Sequence, residues 1–439
     1  MSNTPEIPAK ATEAGNYFVA NYPPFSFWKT DRVHEAQFAL HRPPTPGTAL
    51  GLYAHIPFCR KRCHFCYFKV YTEANASDVQ RYVDTLIHEL SLYVQLPFLG
   101  GRKPKFIYFG GGTPSYLSAR QLADLTDRMK KLLPWDESTE VAFECEPGTL
   151  TEPKLRAIRD MGVTRLSLGI ENFDDHILEI NGRAHRSAEV ARAYEYARSI
   201  NFPQINIDLI AGMVEETEAN WQKCVEKTIA LAPDSVTIYQ MEIPFNTTIY
   251  KEMKAEGKLV APVADWDTKR RWVAEAFAAL ERAGYTISSA YTAVKKAQTK
   301  FLYRDLLWEG ADLLGTGVAS FGHIGGVHYQ NQHNLPEYLA LVERGELPVY
   351  RALRISAEEQ LVREMILQMK LGHISRRYFQ DKFGVDIAAR FAAPLGRLAN
   401  DGWLEVTGDE IRYSRDGLLR VDSLLPEFFL PAHQHARYA

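Results

Sequence analysis

Several features that would mark a membrane, secreted or nucleic-acid-binding protein are absent from this sequence. No apolar run reaches the roughly 18 residues that cross a bilayer, and residues 2–16 lack the apolar stretch of a signal peptide. The formal net charge of -3 gives no overall attraction to nucleic acid or to an anionic membrane. These absences predict a globular protein of the cytoplasm, with no membrane span and no nucleic-acid partner.

Cysteine is scarce, and its distribution argues against a disulfide framework. Of the five cysteines, Cys145 and Cys224 are isolated, whereas the other three lie together on one short stretch. Secreted domains that are stapled by disulfides carry more cysteines, spread along a short chain. The clustered thiols also suit a reducing compartment.

The clustered thiols, Cys59, Cys63 and Cys66, form the most informative motif of the chain. Thiolates are the ligands that iron-sulfur clusters and zinc prefer. Structural zinc normally takes four protein ligands, and the only local candidate for a fourth is His64. A redox disulfide is a further alternative. A cubane cluster with one iron left open for a small molecule fits three thiolates best.

The residues around these thiols, Tyr53-Ala-His-Ile-Pro-Phe-Cys59-Arg-Lys-Arg-Cys63-His-Phe-Cys66-Tyr-Phe68, resemble the signature of radical S-adenosylmethionine (radical SAM) enzymes. They look closest to the branch that contains oxygen-independent coproporphyrinogen III oxidase and related haem chaperones. The resemblance implies a [4Fe-4S] cluster held by the three cysteines, with SAM on the fourth iron. It further implies an electron donor such as flavodoxin or ferredoxin, and a small organic substrate for which a tetrapyrrole is the family-level expectation.

From Leu52 onward, short apolar runs alternate with stretches of helical periodicity, which predicts βα units around a parallel sheet. Strands are predicted at Leu52–Ile56, Phe106–Phe109, Glu140–Cys145, Arg165–Gly169, Ile205–Ile210 and Val236–Gln240. Helices are predicted at Val79–Val94, Ala119–Leu133, Pro153–Met161, Ala188–Ile200, Thr217–Leu231 and Thr268–Ala283. Six units are too few for a closed eight-stranded barrel, so we expect an α/β fold with a partial (β/α)6 barrel, as the resemblance also implies.

Composition divides the chain into four parts. Residues 1–50 are rich in proline and form an extended leader, whose aromatic residues are expected to pack on the main domain: Tyr17, Phe18, Tyr22, Phe25, Phe27 and Trp28. The barrel occupies residues 51–290. Residues 291–355 form a Gly-rich connection, which either brings backbone close to a ligand or consists of tight turns.

Residues 356–439 are predicted to form a small, mainly helical domain of winged-helix type. Ser356 and Glu359 signal its first helix, and the predicted elements are Glu358–Lys370, Ser375–Phe383, Ala388–Asp401, Trp403–Val406 and Ile411–Tyr413. Its charges give no basic face for DNA, so a lid over the substrate is the expected role.

A glycine run follows the second predicted strand, in Gly110-Gly111-Gly112-Thr113-Pro114. Successive glycines allow a ligand close to backbone groups. No Gly-Lys-Ser/Thr follows, so the run does not indicate a nucleotide P-loop. The resemblance implies that Gly111, Gly112 and Thr113 contact the amino group of SAM.

Charged residues lie at or just after the ends of the later strands, where active sites form in βα folds. Glu144, Glu171 and Asp208 can accept hydrogen bonds from a ribose diol or an amine, and Arg183 can pair with a carboxylate. Ordinary ion pairs are the structural alternative. The resemblance implies SAM binding by all four, with Glu144 also the candidate catalytic residue. Further expected cofactor contacts, to one or two SAM molecules, are Tyr53, Phe65, Met241 and Phe321.

The chain departs from the resembled proteins at several positions, which leaves three functions open. Phe68 stands where the oxidase has a further cysteine, and Glu171 stands where it has Gln. Tyr303-Arg-Asp-Leu-Leu-Trp308 aligns with the chaperones' His-Asn-x-x-Tyr-Trp and keeps only the Trp. The hypotheses are a hydrogen-abstracting radical enzyme, a radical methyltransferase using two SAM molecules, and a haem carrier without turnover. Possible haem or proton ligands are His323, His328 and His333, although such histidines are more often ordinary hydrogen-bonded residues.

Overall fold

The computed structural model describes residues 21–136, 139–244, 246–255 and 263–434. Its strands are β1 Leu50–Ile56, β2 Phe106–Gly111, β3 Glu140–Cys145, β4 Arg165–Glu171, β5 Gln204–Ala211, β6 Ser235–Gln240, β7 Thr286–Ile287, β8 Thr292–Val294, β9 Asp312–Thr316, β10 Phe321–Ile324, β11 Val327–Asn331, β12 Val349–Arg354, β13 His373–Ser375, β14 Leu404–Val406 and β15 Glu410–Tyr413. Its helices are α1 Val33–Leu40, α2 Ala76–Tyr93, α3 Ala119–Leu132, α4 Glu152–Asp160, α5 Asp175–Ile180, α6 Ser187–Ser199, α7 Glu218–Leu231, α8 Thr248–Ala255, α9 Trp266–Arg282, α10 Leu302–Trp308, α11 Leu335–Glu343, α12 Ala357–Met369, α13 Arg376–Phe383, α14 Ile387–Arg390, α15 Ala392–Asn400, α16 Arg415–Leu419 and α17 Val421–Leu424.

Strands β1 to β6 lie side by side in chain order and are all parallel. Helices between successive strands cover the outer face, and the strand residues that face them are almost fully buried. The predicted α/β fold with a partial six-stranded barrel is therefore confirmed. Because the carboxyl ends of parallel strands share one edge, the residues at these ends are brought together there.

The Gly-rich segment is neither a turn-rich connection nor a loop, because it contributes strands to the main sheet. Strand β9 pairs in parallel with β1, and β10, β11 and β12 continue the sheet in antiparallel order. A Cβ on Gly315 would lie 2.1 Å from the carbonyl oxygen of Phe321, and one on Gly322 would lie 2.2 Å from the ring of Tyr329. These glycines permit close strand packing. Because they also interrupt the apolar pattern that is typical of a strand, the sequence did not predict these strands.

The described part of the leader packs against both the sheet and the C-terminal segment. Residues 1–20, which include Tyr17 and Phe18, lie outside the described residues. Tyr22 and Trp28 are 0% and 3% exposed, and the Tyr22 hydroxyl accepts a hydrogen bond from Leu430 N at 3.0 Å. The leader is not extended throughout, because helix α1 forms at Val33–Leu40 and buries one face on β11 and β12.

Two of the candidate histidine ligands are part of this packing. His323 and His328 are buried with their Nδ1 atoms 3.2 Å apart. The His328 ring stacks on Trp28, and its Nε2 atom lies 2.8 Å from the carbonyl oxygen of Tyr22. Both histidines therefore serve the fold. His333 is exposed, with its ring against Tyr350.

The C-terminal domain combines helices α12 to α17 with a three-stranded antiparallel sheet around a core of its own. The predicted helix start is present, since the Ser356 side chain accepts from Glu359 N at 3.2 Å. The single helix predicted at Ala388–Asp401 is wrong: it is broken into α14 and α15 at Phe391. Pro394 explains the break, because its ring would clash with the carbonyl of Arg390 in a continuous helix.

Among the helices of the described ranges, none combines the length and the apolar character that a bilayer span requires.

Candidate functional site

The cysteine loop leaves the end of β1 and is closed at its base by backbone hydrogen bonds. Cys59 N donates to the carbonyl of Tyr71 at 3.1 Å, and Tyr71 N donates to that of Pro57 at 2.9 Å. Cys59 is buried, whereas Cys63 and Cys66 are half-buried. The loop therefore presents its three thiols toward the carboxyl ends of the strands.

Thr113, just after β2, and Arg183, between α5 and α6, contact the thiols directly. The Thr113 hydroxyl donates to Cys59 Sγ at 3.3 Å, and Arg183 Nη1 donates to Cys63 Sγ at 3.3 Å. Burial is the main cause, and repulsion from neighbouring thiols a smaller one, of the raised pKa values of Cys59, about 12, and of Cys66, about 11. Thiolates in this loop thus require a positively charged partner, such as a metal centre.

Side chains in the described ranges form no group of three or more His, Cys, Asp or Glu placed to hold a single metal ion. A four-iron cubane poses a different geometric demand, because each cysteine binds a separate iron. His64, the candidate fourth ligand, has its Nδ1 atom 3.0 Å from the carbonyl oxygen of Ile180. Its ring also packs on Gly182, where a Cβ would lie 2.7 Å from it. The three thiols therefore remain the candidate ligand set.

Arg183 connects the cysteine loop to the strand ends. Besides its contact with Cys63, its Nη2 atom donates to the carbonyl of Gly169 at 2.5 Å and lies 3.6 Å from Glu171 Oε1. Burial opposes the charge of Arg183, but Cys63, Glu171 and Glu146 together raise its pKa. The guanidinium stays charged inside the barrel, where it can pair with a carboxylate of a ligand.

Glu144, at the end of β3, is held from two sides. The Tyr108 hydroxyl donates to Glu144 Oε1 at 2.5 Å, and Gly111 N donates to Oε2 at 3.2 Å. Burial raises the pKa of Glu144 to about 7; the Tyr108 hydrogen bond opposes this shift and Asp208 adds to it. The carboxyl group is therefore poised between its two protonation states near neutral pH.

Glu171 and Asp208 complete the acidic part of the site. Glu171 follows a register shift between β4 and β5 and has a φ of 65°, a left-handed conformation that costs a non-glycine residue about 1–2 kcal/mol. Burial raises its pKa to about 7, and Arg183 opposes that shift. Asp208 accepts from Ser167 Oγ at 2.8 Å and from Asn206 Nδ2 at 2.9 Å, and burial raises its pKa.

The glycine run serves close packing as well as ligand access. A Cβ on Gly112 would lie 2.8 Å from the carbonyl carbon of Pro57 and 2.9 Å from the carbonyl oxygen of Phe58. Gly111 has a φ of 114°, and a Cβ there would meet the ring of His55 at 2.5 Å. The run therefore lets β2 lie directly against the start of the cysteine loop.

The remaining expected contacts fall into three places. The Tyr53 hydroxyl lies 3.0 Å from His55 Nδ1, and the Tyr53 ring stacks on Tyr108. Phe65 and Met241 share a small apolar cluster beside the loop. The ring of Phe321 packs instead on Phe25 and Trp28 of the leader.

Comparisons with known proteins give the family. Residues 53–228 match the model of the radical SAM superfamily, and residues 355–420 match that of the HemN C-terminal domain. The anaerobic coproporphyrinogen III oxidase 1 of Cereibacter sphaeroides is 30% identical over 331 residues, which cover 72% of this chain and 71% of the relative. The chain belongs to the radical SAM superfamily and to its HemN/HemW-like family.

Two further comparisons show how much of this HemN/HemW-like chain is similar to known proteins. The heme chaperone HemW of Bacillus subtilis is 28% identical over 381 residues, which cover 86% of this chain and 98% of the relative. The solved structure of coproporphyrinogen III oxidase (HemN) from Escherichia coli matches with a TM-score of 0.80 at 22% identity, covering 96% of this chain and 98% of that chain. The structural match supports the fold over nearly the whole length. These relatives give no support to the methyltransferase alternative.

The family implies a [4Fe-4S] cluster and SAM as cofactors, and the residues of the HemN/HemW-like site fit both. The thiols are the soft ligands an iron-sulfur cluster needs, and burial disfavours their anionic form in its absence. Arg183 Nε is buried without a hydrogen-bond partner among the described residues, so a donor remains available beside Cys63.

Sequence reasoning missed two residues that shape this radical SAM site. Tyr108 lies on the same face of β2 as Gly110, and strand alternation alone could have placed it under Glu144. Glu146 accepts two hydrogen bonds from Arg60, at 3.0 and 2.9 Å, which tie the loop to the end of β3. No local pattern in the sequence predicts that pairing, because the partners are 86 residues apart.

Replacing Gly112 by Ala tests the packing of the glycine run on the cysteine loop. Because the new Cβ would overlap the backbone at Pro57 and Phe58, we expect the free energy of unfolding to fall by about 1–3 kcal/mol. The matched control is Gly396→Ala in α15, where a Cβ meets nothing within 4 Å. Chemical denaturation of both variants measures the difference. Equal stability of the two would contradict the close approach described here.

Proposed function

We propose that this protein is a radical SAM enzyme that forms a 5'-deoxyadenosyl radical and uses it to abstract hydrogen from a tetrapyrrole-type substrate. The observation that carries the proposal is the convergence of three thiols, one buried guanidinium and three carboxyl groups at one end of the barrel. Cys59, Cys63 and Cys66 are the proposed cluster ligands. An electron donor such as flavodoxin or ferredoxin, in a reducing cytoplasm, belongs to this proposal.

The chain's own residues would bind and orient the cofactor. When bound, the cluster supplies one electron that cleaves the sulfonium of SAM. Arg183 would pair with the methionine carboxylate, since its Nε donor lies buried beside Cys63. Gly111, Gly112 and Thr113 would line the amino end, whereas Glu171 and Asp208 would accept from the amine or ribose. Phe65 and Met241 would exclude water from the cluster.

Glu144 would be able to accept a proton near the reacting centre, since Tyr108 fixes its position and burial raises its pKa to about 7. Tyr53 and Phe321 are assigned to cofactor lining on the family pattern. The residues assigned above to the carboxylate, amine and ribose of SAM bind one SAM molecule.

The haem-carrier function is the main rival, because the B. subtilis heme chaperone HemW covers 86% of this chain. Tyr303 stands where the chaperone motif has its His, and its ring packs at a tilt of 37° against Tyr108, with ring centroids 4.4 Å apart. Glu140 accepts from Tyr303 N at 2.9 Å and fixes the start of α10. Tyr303 is thus packed against β2 and held at the start of β3 inside the fold. This packing favours the enzyme over the carrier.

Replacing Cys63 by Ala tests the cluster ligands. After anaerobic reconstitution we expect about four irons and four sulfides per chain in the wild type and a near-complete loss in Cys63→Ala, because two thiolates cannot hold a cubane against solvent. Cys145→Ala, a buried thiol outside the loop, is the matched control and retains the iron. Iron retained in Cys63→Ala but lost in Cys145→Ala would contradict the assignment.

The affinity for SAM should depend on pH. Burial raises the pKa of Glu144 and of Glu171 to about 7, and a cationic ligand favours their ionised forms. Below pH 7 these groups must lose protons on binding, so we expect affinity to rise from about pH 6 and to level off near about pH 8. Glu144→Gln should reduce the slope, while the exposed Glu343→Gln leaves it unchanged. Calorimetry showing parallel profiles for all three proteins would remove Glu144 from the SAM site.

A further inference from the structure

Tyr239 on β6 has a large exposed surface inside the barrel. It shares a strand face with Ser235 and Thr237, whose hydroxyls donate to the inward-facing Asn206. Tyr239 is 42% exposed, although the four preceding residues of its strand are buried. Desolvation within the fold raises the pKa of Tyr239, and Asp208, Glu144 and Glu171 raise it further. The exposed ring therefore borders the interior space in front of the carboxyl groups, rather than the outer surface.

A second tyrosine extends this aromatic wall. The ring of Tyr291 lies nearly parallel to that of Tyr239, with an interplanar angle of 27° and centroids 6.3 Å apart, an offset arrangement. The Tyr291 hydroxyl donates to Asp422 of the C-terminal domain. Lys370 Nζ lies 2.7 Å from Asp422 Oδ1 and 5.2 Å from the centroid of Tyr291. Tyr291 is therefore held in place, and a wall that is fixed in advance loses little entropy on binding.

We propose that Tyr239 and Tyr291 form a stacking platform for the substrate, a flat, multi-ring, nitrogen-bearing molecule of the tetrapyrrole class. Two offset rings present a surface longer than a single ring, on which a multi-ring substrate can lie. The wall also meets the C-terminal domain through Asp422, so that domain borders the same subsite. This inference rests on the proposed function and specifies the residues that select its substrate.

Binding of coproporphyrin III, measured without reductant, tests the platform because this porphyrin is flat and fluorescent. In the reconstituted full chain we expect Tyr239→Ala to weaken binding about tenfold or more, since the stacking surface is lost. Tyr239→Phe keeps the ring and should stay within about threefold of the wild type. The matched control is Tyr196→Ala on the outer helix α6, which should bind like the wild type. Iron content and SAM affinity equal to wild type in Tyr239→Ala show that the variant is folded.

The other possible occupant is the adenine ring of SAM, and the same samples separate the two. Tyr239→Ala with reduced SAM affinity and unchanged porphyrin binding would overturn the proposal, as would a wild type that does not bind coproporphyrin III. The radical reaction is scored separately, by release of 5'-deoxyadenosine from the wild type. If that release occurs while Tyr239→Ala binds porphyrin normally, the platform is wrong and the proposed function stands. If porphyrin binding is lost in Tyr239→Ala but the wild type releases none, the platform stands and the proposed function fails.

Discussion

One buried cation, the guanidinium of Arg183, links the parts of this site. It contacts Cys63 of the cysteine loop, the carbonyl of Gly169 and the carboxyl group of Glu171. Burying an isolated charge is costly, so this arrangement requires anionic or strongly polar partners on every side. The loop, the left-handed turn at Glu171 and the strand ends satisfy that requirement together. A shift of any one of them would remove part of that compensation.

The same constraint explains why carboxyl groups surround the site. Burial raises the pKa of Glu144, Glu171 and Asp208, and repulsion from Asp208 adds to the shifts of the two glutamates. With pKa values of about 7, Glu144 and Glu171 are partly protonated near neutral pH in the free protein, and a cation would favour their ionised forms. A sulfonium ligand with an amine and a ribose diol would relieve that repulsion. The tyrosines on the inner walls supply flat surface and hydroxyl donors without adding charge.

Much of the fold was predictable, because its signals are local. Each parallel strand and its helix has its own periodicity in the sequence. The spacing of Cys59, Cys63 and Cys66 alone predicts that they lie on one loop. The strands at Asp312–Thr316 and Phe321–Ile324 were missed, since Gly315 and Gly322 are required by contacts with residues of other strand segments. The contacts of Tyr108, Tyr239 and Arg60 depend on how distant strands meet, and no single stretch of sequence contains that information.

The central claim is radical chemistry rather than haem transfer, and one paired measurement on a single reconstituted sample tests it. The sample is incubated anaerobically with a reductant and SAM for 5'-deoxyadenosine analysis, and a second portion is titrated with haem. The account predicts 5'-deoxyadenosine well above a Cys63→Ala control and no stoichiometric haem binding. Tight one-to-one haem binding that disappears in Tyr303→Phe, with no 5'-deoxyadenosine above that control, would contradict it.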